Sequence, residues 1–481
     1  MCRVQTSSEP NPEFIKCDEP AEETPTALPQ PGEQGSPAGR IVIPAWTQEI
    51  LQRLHNAGYE AYVVGGCVRD SLLGREPEDW DVTTSATPQE VKSLFSHTVD
   101  TGIQHGTVTV LLRGETCEIT TYRIDGNYAD GRHPDQVTFT SSLLEDLKRR
   151  DFTINAMAYS SESGLVDEFD GLGDLGRGVI RAVGDPRARF EEDALRMMRA
   201  IRFAAQLGYE IEEETRAAIR SLSQNLQKVS AERVRAELDK ILVSDHPGVL
   251  RDAYQLGLTD VFLPELSACM ECPQNTPHHA CSAGEHILRS VENVRADRIL
   301  RLTMLLHDIA KPQSRTTDEN GIDHFWGHAA LGADMADSIL RRLKYDNDTR
   351  RTVVKLVRWH DHEPGESRPR IRHIVADIGE DLFPLLLEVK TADITAQSEY
   401  GRDWKMADIE EWRRAYCEIR ENGDCLSLKT LAYSGKDLLA AGIKPGEQVG
   451  RILNTMFEDV LTDPSHNTKE YLIRYIPQVV S

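Results

Sequence analysis

Asp79 and Asp81, in the run EDWDVTT, are spaced so that an extended strand would point both carboxylates the same way. Like charges held that close repel. A divalent cation is the usual compensation, and Mg²⁺ prefers a few carboxylates with substrate phosphates completing its shell. Glu118, in ETCEITTYR, follows a hairpin turn at Arg113–Gly114 and offers a third carboxylate from another strand-like run. Upstream, AYVVGGCVRDSLLG reads as a buried strand, a Gly-Gly turn and a helix beginning near Cys67. Gly65 and Gly66 lack Cβ atoms, so a phosphate can approach the backbone N–H groups, and the helix dipole behind them favours an anion. Arg69, one turn in, reaches the same place. Taken singly, these are an ordinary strand–turn–helix, a polar strand edge and a solvated glutamate. In this order they point to metal-assisted phosphoryl or nucleotidyl transfer, with one cation activating a hydroxyl and another holding the triphosphate and the leaving pyrophosphate.

Two further runs extend this chemistry. KRRDFTINAMAY brings Arg150 as a triphosphate or ribose contact, with Asp151 and Asn155 to fix the loop or the sugar. In EEDALRMMRAIRF, Asp193 and Arg196 are i, i+3 and are expected on one helix face. A carboxylate accepts from an exocyclic amine and an Arg fork donates to ring acceptors. That pair suits cytosine and adenine and rejects guanine and uracil. Arg199 and Arg202 continue around the helix, to meet phosphates or to brace the pair. An exposed helix laced with ion pairs is the plainer alternative.

A second constellation lies further on. The apolar run RILRLTMLLHDIAKP ends in His307 and Asp308, with His286 upstream, His328 in FWGHAALGA, His360 in VRWHDHE and Asp393 in KTADITAQ. Several His and Asp at such turns read as a metal cluster rather than as satisfied core histidines. Cys269, Cys272, His278, His279 and Cys281 have zinc-like spacing, although His279 is as well placed to line the cleft of that cluster.

The elements that must carry these residues follow from periodicity. IVIPAWTQEILQRLHN sets Ile50, Leu51 and Leu54 at helical spacing. From Ala61 to Tyr159 the β-type runs AYVV, DVTT, TVTVLL, CEITTYR and QVTF alternate with turns and helical pieces, which predicts an α/β or α+β domain. From about Pro186 helical periodicity prevails without convincing strands; PRARFEEDALRMMRAIRFAAQLG opens this part, with Gly208 as a C-cap. Residues 1–39, rich in Pro, Glu, Ser and Gln, read as a disordered leader.

Composition bounds the classes. The chain has 481 residues, 40% hydrophobic and 28% charged, which is enough to bury several cores. Its net charge of −23 argues against a general nucleic-acid coat but leaves room for one basic groove near Arg181, Arg187, Arg189, Arg196, Arg199, Arg202, Arg216 and Arg220. No apolar run reaches the roughly 18 residues of a membrane span. The start carries no signal-peptide core, and nine Cys read as reduced thiols, so a cytoplasmic enzyme is expected.

In order, VVGGCVRDSLLG, EDWDVTT, EITTYR, RRDFTINAMAY, IRAVGDP and RFEEDALRMMRAIRFA resemble bacterial-type (class II) tRNA nucleotidyltransferases, the CCA-adding enzymes of the DNA polymerase beta-type nucleotidyltransferase superfamily. VSAERVRAEL resembles the last head–neck motif, and LAYSGKDLLAAGIKPGEQVGRILN and DPSHNTKEYL resemble the family's tail. The resemblance implies an α+β fold: a head (40–180) with about five strands in a mixed sheet, a helical neck (181–265), an HD domain (266–400) and a helical tRNA-binding tail (401–481). It implies Mg²⁺ on Asp79 and Asp81, Glu118 as third carboxylate, and nucleotide contacts from Gly65, Gly66, Arg69 and Arg150. Asp193 and Arg196 would act as a protein template for CTP and ATP on tRNA, with Arg199 and Arg202 beside them. RIDGNYADGRHPDQVTF resembles the family's flexible loop, centred on Arg132, His133 and Pro134, which enzymes restricted to C addition are described as lacking in part. Full CCA addition and A addition both remain open, with bacterial poly(A) polymerase as a near relative. The His/Asp order resembles the HD phosphohydrolase superfamily: His286, His307, Asp308 and Asp393 match its basic pattern and His328 and His360 extend it, for a second divalent metal. A metal-dependent phosphohydrolase is the reading from a different class, and a degenerate tRNA-holding domain is the third.

Overall fold

The computed structural model describes residues 41–126, 137–365 and 367–480. The expected leader and the loop residues Arg132, His133 and Pro134 lie outside the described residues. Helix Ala45–Asn56 opens the head and buries Ile50, Leu51 and Leu54. Nine strands follow: β1 Ala61–Val64, β2 Val82–Thr84, β3 Thr98–Gly102, β4 Thr107–Leu112, β5 Glu115–Thr121, β6 Arg123–Asp125, β7 Val137–Phe139, β8 Met157–Ser160 and β9 Gly164–Asp167.

Seven of them form one sheet in the order β3-β4-β5-β2-β1-β8-β9. Only β2 and β5 run parallel, so the sheet is mixed. The sheet has two more strands than expected: the edges β3 and β9 and the fully buried β8 escape periodicity, while one expected run lies outside it. β3 is largely exposed and β9 half-buried throughout, so neither shows a clean apolar alternation. QVTF does form a strand, β7, but it pairs with β6 in a separate hairpin. The β4–β5 turn has Arg113 at φ 56° and Gly114 at φ 90°, the two positive angles that a tight two-residue hairpin demands.

The neck helix Leu195–Leu207 buries Met197, Met198, Ala200, Ile201 and Phe203, packs on helix Ala231–Leu242, and stops at Gly208 with φ 70°. One apolar core runs from Ile50 through Phe152, Met198 and Leu238 to Leu305 and Val357. Beyond the neck the chain is helical apart from short two-residue strands at Glu210–Ile211, Thr316–Thr317 and Asp323–His324. Helices Ala283–Asn293, Arg298–Leu306, His328–Arg342, Asn347–Trp359 and Phe383–Ala396 surround the histidines. The described residues 41–411 form one compact unit; those from Trp412 form another, with its own core of Leu431, Leu438, Met456, Val460 and Leu472. Among the described residues no helix is long and apolar enough to cross a membrane.

Candidate active site and a histidine–aspartate cluster

β1 ends at Val64 and the chain turns through Gly65, whose φ of 82° and ψ of −125° suit glycine. A Cβ there would also lie 3.1 Å from Arg150 Nη1, so the turn needs glycine for space as well as for backbone. The helix starts at Gly66, one residue earlier than expected. Gly65 N–H is committed to Met157 O at 3.1 Å, so an anion must be met by amides further into the turn. Arg69 is buried and braced, with Nη1 donating to Asn155 Oδ1 at 2.7 Å and Nε to Asp70 Oδ1 at 2.9 Å. Buried Asp146 accepts from Arg149 at 2.7 Å and contacts Arg150 Nη2 at 3.5 Å, which holds Arg150 beside the turn.

The two aspartates immediately precede β2. Trp80 between them is buried while Asp79 and Asp81 are exposed, so the carboxylates project together on the solvent side. Val64 N–H donates to Asp81 O at 3.0 Å, tying this segment to the strand that feeds the glycine turn. β2 pairs with β5 at Val82–Ile119, so one step back sets Asp81 beside Glu118. Asp81 is open to solvent yet has protein packed around it. Desolvation is the main cause that pushes its carboxyl up to about 6; Glu118 and Asp79 push the same way and Arg150 opposes them. The three carboxylates, Arg150 and the glycine turn therefore share one place. Three carboxylates gathered beside a phosphate-sized turn are the donor set that a divalent cation fits.

The neck corrects one expectation. Asp193 and Arg196 do not share a helix face, because Asp193 stands before the helix in an extended conformation (φ −141°, ψ 104°). Its side chain accepts from Leu195 N–H at 3.0 Å and from Arg233 Nη2 at 2.7 Å. The break at Asp193 splits the expected single helix into Pro186–Glu192 and Leu195–Leu207. Arg196 is still close, held by Glu192 at 2.8 Å and donating to Arg149 O at 3.1 Å, which links it to the loop that carries Arg150. Arg199 Nε donates to Asp151 Oδ2 at 2.7 Å, and Arg202 pairs with Glu237 at 2.7 Å. Arg69, Arg199 and Arg202 all lie against the Phe203 ring, 5.0, 5.4 and 4.0 Å from its centroid. The residues that sequence reasoning missed are the anchors, Glu192, Arg233, Glu237 and Phe203. All four lie inside runs quoted above, Glu192 and Phe203 in EEDALRMMRAIRF and Arg233 and Glu237 in VSAERVRAEL, where nothing local gives them a role.

The second constellation closes into a buried cluster. Asp308 is its hub. Asp308 Oδ2 lies 3.4 Å from His286 Nε2 and 3.3 Å from His307 Nε2, while Oδ1 lies 3.3 Å from His328 Nε2 and 3.6 Å from His360 Nε2. Asp393 Oδ1 completes the first group, 2.9 Å from His286 Nε2. His307, His328 and His360 each direct Nδ1 at a backbone carbonyl, Met304, Phe325 and Val357, at 2.7, 2.8 and 2.7 Å. A carbonyl only accepts, so Nδ1 carries the proton and Nε2 faces inward. His328 and His360 then oppose two Nε2 lone pairs 3.2 Å apart, an arrangement that calls for a proton or a cation between them. The two groups, His286–His307–Asp308 and Asp308–His328–His360, each have the reach to hold a metal ion. Burial alone would keep His307 neutral, but the carboxylates of Asp308 and Asp393 raise it to about 10. His279, which is shifted down to about 2 chiefly by desolvation, lines the same cavity.

Lys311, another residue that sequence reasoning missed, sits one turn after Asp308. It is nearly fully buried, with Nζ 2.6 Å from Asp308 Oδ2 and 2.6 Å from Gln274 Oε1. Its spacing of three from Asp308 on a turn is the signal that would have found it. The cysteines do not form a zinc site among the described residues. Cys269 and Cys272 are buried thiols directed at backbone carbonyls, and no metal-binding group includes a cysteine.

Comparison with known proteins identifies the lineage. The family described as "Poly A polymerase head domain" matches residues 61–181, "Probable RNA and SrmB- binding site of polymerase A" matches 208–270, and "tRNA nucleotidyltransferase domain 2 putative" matches 316–476. The CCA-adding enzyme of Levilactobacillus brevis is 39% identical over 424 residues, covering 88% of this chain and 95% of that protein. That of Leuconostoc citreum is 36% identical over 442 residues, covering 90% and 96%. The solved structure of the Bacillus stearothermophilus CCA-adding enzyme in complex with CTP superposes with a TM-score of 0.67 at 29% identity, covering 90% of this chain and 97% of that one. With a head that gathers three carboxylates beside a glycine turn and relatives aligned along nearly their whole length, the chain belongs to the CCA-adding enzymes, a family of tRNA nucleotidyltransferases.

Proposed function

We propose that this protein builds or repairs the 3′-terminal CCA of tRNA from CTP and ATP, without a nucleic-acid template. The observation that carries this reading is the convergence of Asp79, Asp81 and Glu118 beside Gly65 and Arg150, with the Asp81 carboxyl pushed up to about 6 by its surroundings. In the reaction the tRNA 3′-oxygen bonds to the α-phosphorus, the bond to the bridging oxygen of the β-phosphate breaks, and pyrophosphate leaves. Asp79 and Asp81 would hold Mg²⁺, which when bound neutralises the triphosphate and acidifies the attacking hydroxyl. Glu118 adds negative charge to the same donor set. Arg150 faces the phosphates from beside the turn, and Arg69 keeps the turn in shape through Asn155. Asp193 accepts from the exocyclic amine of cytosine or adenine and Arg196 donates to the ring acceptor. Arg233, Glu192 and the Arg149 carbonyl fix the two side chains that the backbone alone does not align.

The whole-length relatives named CCA-adding enzymes favour full CCA addition over A addition alone. The test supplies tRNA transcripts ending before CCA, before CA and before A, with CTP and ATP given separately, and an unrelated RNA in parallel. C should enter only the first two and A only the third. A failure to use CTP would leave an A-adding enzyme, and tails on the unrelated RNA would make it a poly(A) polymerase.

A second reading is favoured by the cluster around Asp308: a metal-dependent phosphohydrolase centre. In it a water oxygen bonds to phosphorus, the ester P–O bond breaks, and the water's proton passes to the leaving alkoxide. The two histidine groups would hold one or two divalent cations, and Lys311 would neutralise charge next to them.

A further inference from the structure

Arg301 is 6% exposed, and among the described residues its hydrogen-bond partners are backbone carbonyls. Nη1 donates to Leu242 O at 2.5 Å and to Ser244 O at 2.7 Å, and Nε donates to Val294 O at 3.3 Å. Burying a charge against neutral acceptors alone is costly. What it secures is the end of helix Ala231–Leu242. The last carbonyls of a helix have no partner within it and carry the negative end of its dipole. Asp239 O and Ile241 O accept from the N–H groups of Val243 and Ser244, and Arg301 takes Leu242 O. A second grip lies three residues back. Tyr345, buried just beyond helix His328–Arg342, donates its hydroxyl to Asp239 Oδ1 at 2.6 Å. The opposite end of the same helix meets the residues around the base-selecting pair. Arg233, in the first turn, holds Asp193 at 2.7 Å, and Glu237, one turn on, pairs with Arg202 at 2.7 Å. At 1.5 Å of rise per residue, about 14 Å separate Arg233 from Leu242 along the axis.

We propose that Arg301 and Tyr345, from the part of the chain that carries the histidines, take part in choosing the base: they are positioning residues that fix helix Ala231–Leu242 so that Arg233 can orient Asp193. The inference rests on the reading of Asp193 and Arg196 as the base-selecting pair and extends it to residues outside the head and neck. Helix Ala231–Leu242 is continuous and buries Val234, Leu238, Ile241 and Leu242, so it shifts as one body and a displacement at one end is felt at the other. Arg301 opposes sliding along the axis because it holds the end carbonyl. Tyr345 opposes rotation because it holds a side chain on the flank. The N-terminal end supplies no such hold, since Ser230 makes no side-chain capping bond there. Tolerance at that end is narrow. Arg233 meets the Asp193 carboxylate at 2.7 and 3.3 Å, and a slide of about 1 Å takes this contact out of hydrogen-bond range.

The test uses the full-length protein with a tRNA transcript ending before CCA and reads the ratio of kcat/KM for CTP over UTP. Arg301→Gln should lower that ratio by about ten-fold and Tyr345→Phe by about four-fold, while kcat with saturating CTP falls less than the ratio does. A purely structural role would lower the melting temperature and leave the ratio alone. Combination tests the path. Once Arg233→Ala has released Asp193, adding Arg301→Gln should cost less than about two-fold more in the ratio; independent losses would multiply instead. Tyr345→Phe removes a single oxygen and keeps the ring against Arg235, 5.6 Å from its centroid, so it decides the matter should Arg301→Gln fail to fold. Ratios within about two-fold of wild type in both variants, or losses that multiply in the combination, overturn the proposal. Arg196→Ala, run beside them, separates it from the reading beneath. An eroded ratio there with intact ratios in Arg301→Gln and Tyr345→Phe ends the proposal alone, and an intact ratio in Arg196→Ala ends both.

Discussion

The head and the Asp308 cluster hold acidic side chains in opposite ways. In the head, Asp79, Asp81 and Glu118 are exposed where the interior strands β2 and β5 run side by side, placed by strand register and by the buried Trp80 between the aspartates. In the cluster, Asp308 is 2% exposed and is fixed by side chains: four imidazoles and an ammonium converge on its two oxygens. An open site suits a triphosphate and the end of a large RNA, which must both enter and leave. A buried hub suits a permanently held ion and a small ester. Where the backbone positions the ligands, removing one leaves the fold alone; where ligands position each other, removing one removes the reason the others are tolerated.

Exchanging one aspartate at each centre tests that difference directly. Asp81→Ala should lower nucleotide addition by about 10²–10³-fold or more, without lowering the melting temperature. Ionising the Asp81 carboxyl costs desolvation first and repulsion from Glu118 and Asp79 after it, so its loss removes an unfavourable charge. Asp308→Ala should leave addition per folded molecule unchanged and abolish metal retention by the cluster. It should also cost about 3–5 kcal/mol of stability, because Lys311 and His307 stay buried without their counter-charge. Thermal unfolding and metal analysis of the two variants read both effects. A destabilised Asp81→Ala beside a stable Asp308→Ala would invert the comparison.

A smaller effect sharpens how the head selects its base. Arg196→Ala should erode the preference for C and A over G and U by about 1–3 kcal/mol, the worth of one bidentate base contact, while maximal addition with the correct nucleotide falls less. Asp193 owes its orientation to Arg233 and not to a shared helix face. Arg233→Ala should therefore reproduce part of the Arg196→Ala loss without touching any nucleotide. Nucleotide competition assays on primed tRNA measure this, and a fully selective Arg233→Ala would show that Asp193 needs no partner.

The same contrast explains what could be read without coordinates. The head site is made of short-range features, a Gly-Gly turn, a D-x-D pair and a hairpin, and local spacing predicts where each points. Asp193 is the exception: the run around it is helical in pattern, and only the long-range Arg233 contact and the capping of Leu195 N–H reveal that the helix breaks there. The cluster is drawn from five separate helices and the turns that end two of them, between His286 and Asp393, so residue type could nominate its members and nothing in the spacing could give the sharing of Asp308 between two groups. Edge strands β3 and β9 stayed hidden for a plainer reason, since a strand paired on one side and half-exposed needs no apolar alternation. The arginines counted toward a basic groove are largely spoken for: Arg181 pairs with Asp174, Arg199 with Asp151, Arg202 with Glu237 and Arg216 with Asp252.

A further predicted effect lies in that arginine network and has a sign fixed by linkage. Asp151 is buried and accepts from Phe152 N–H at 2.9 Å, Asn155 Nδ2 at 3.2 Å and Arg199 Nε at 2.7 Å. Desolvation alone would raise its pKa; the charges of Arg199 and Arg196 and these hydrogen bonds outweigh it and bring it down to about 2. A carboxyl depressed in the folded state stabilises the protein fully above its unfolded value near 3.9 and loses that contribution as the pH falls toward 2. At one pKa unit per 1.36 kcal/mol the contribution is about 2.6 kcal/mol at neutral pH. Asp151→Asn should thus lower stability by that order at pH 7 and narrow the gap to wild type steadily below pH 4, followed by denaturant unfolding across the range. A gap independent of pH would mean that the hydrogen bonds to Asn155 and Phe152, and not the charge facing Arg199, hold the loop that carries Arg150 against the neck.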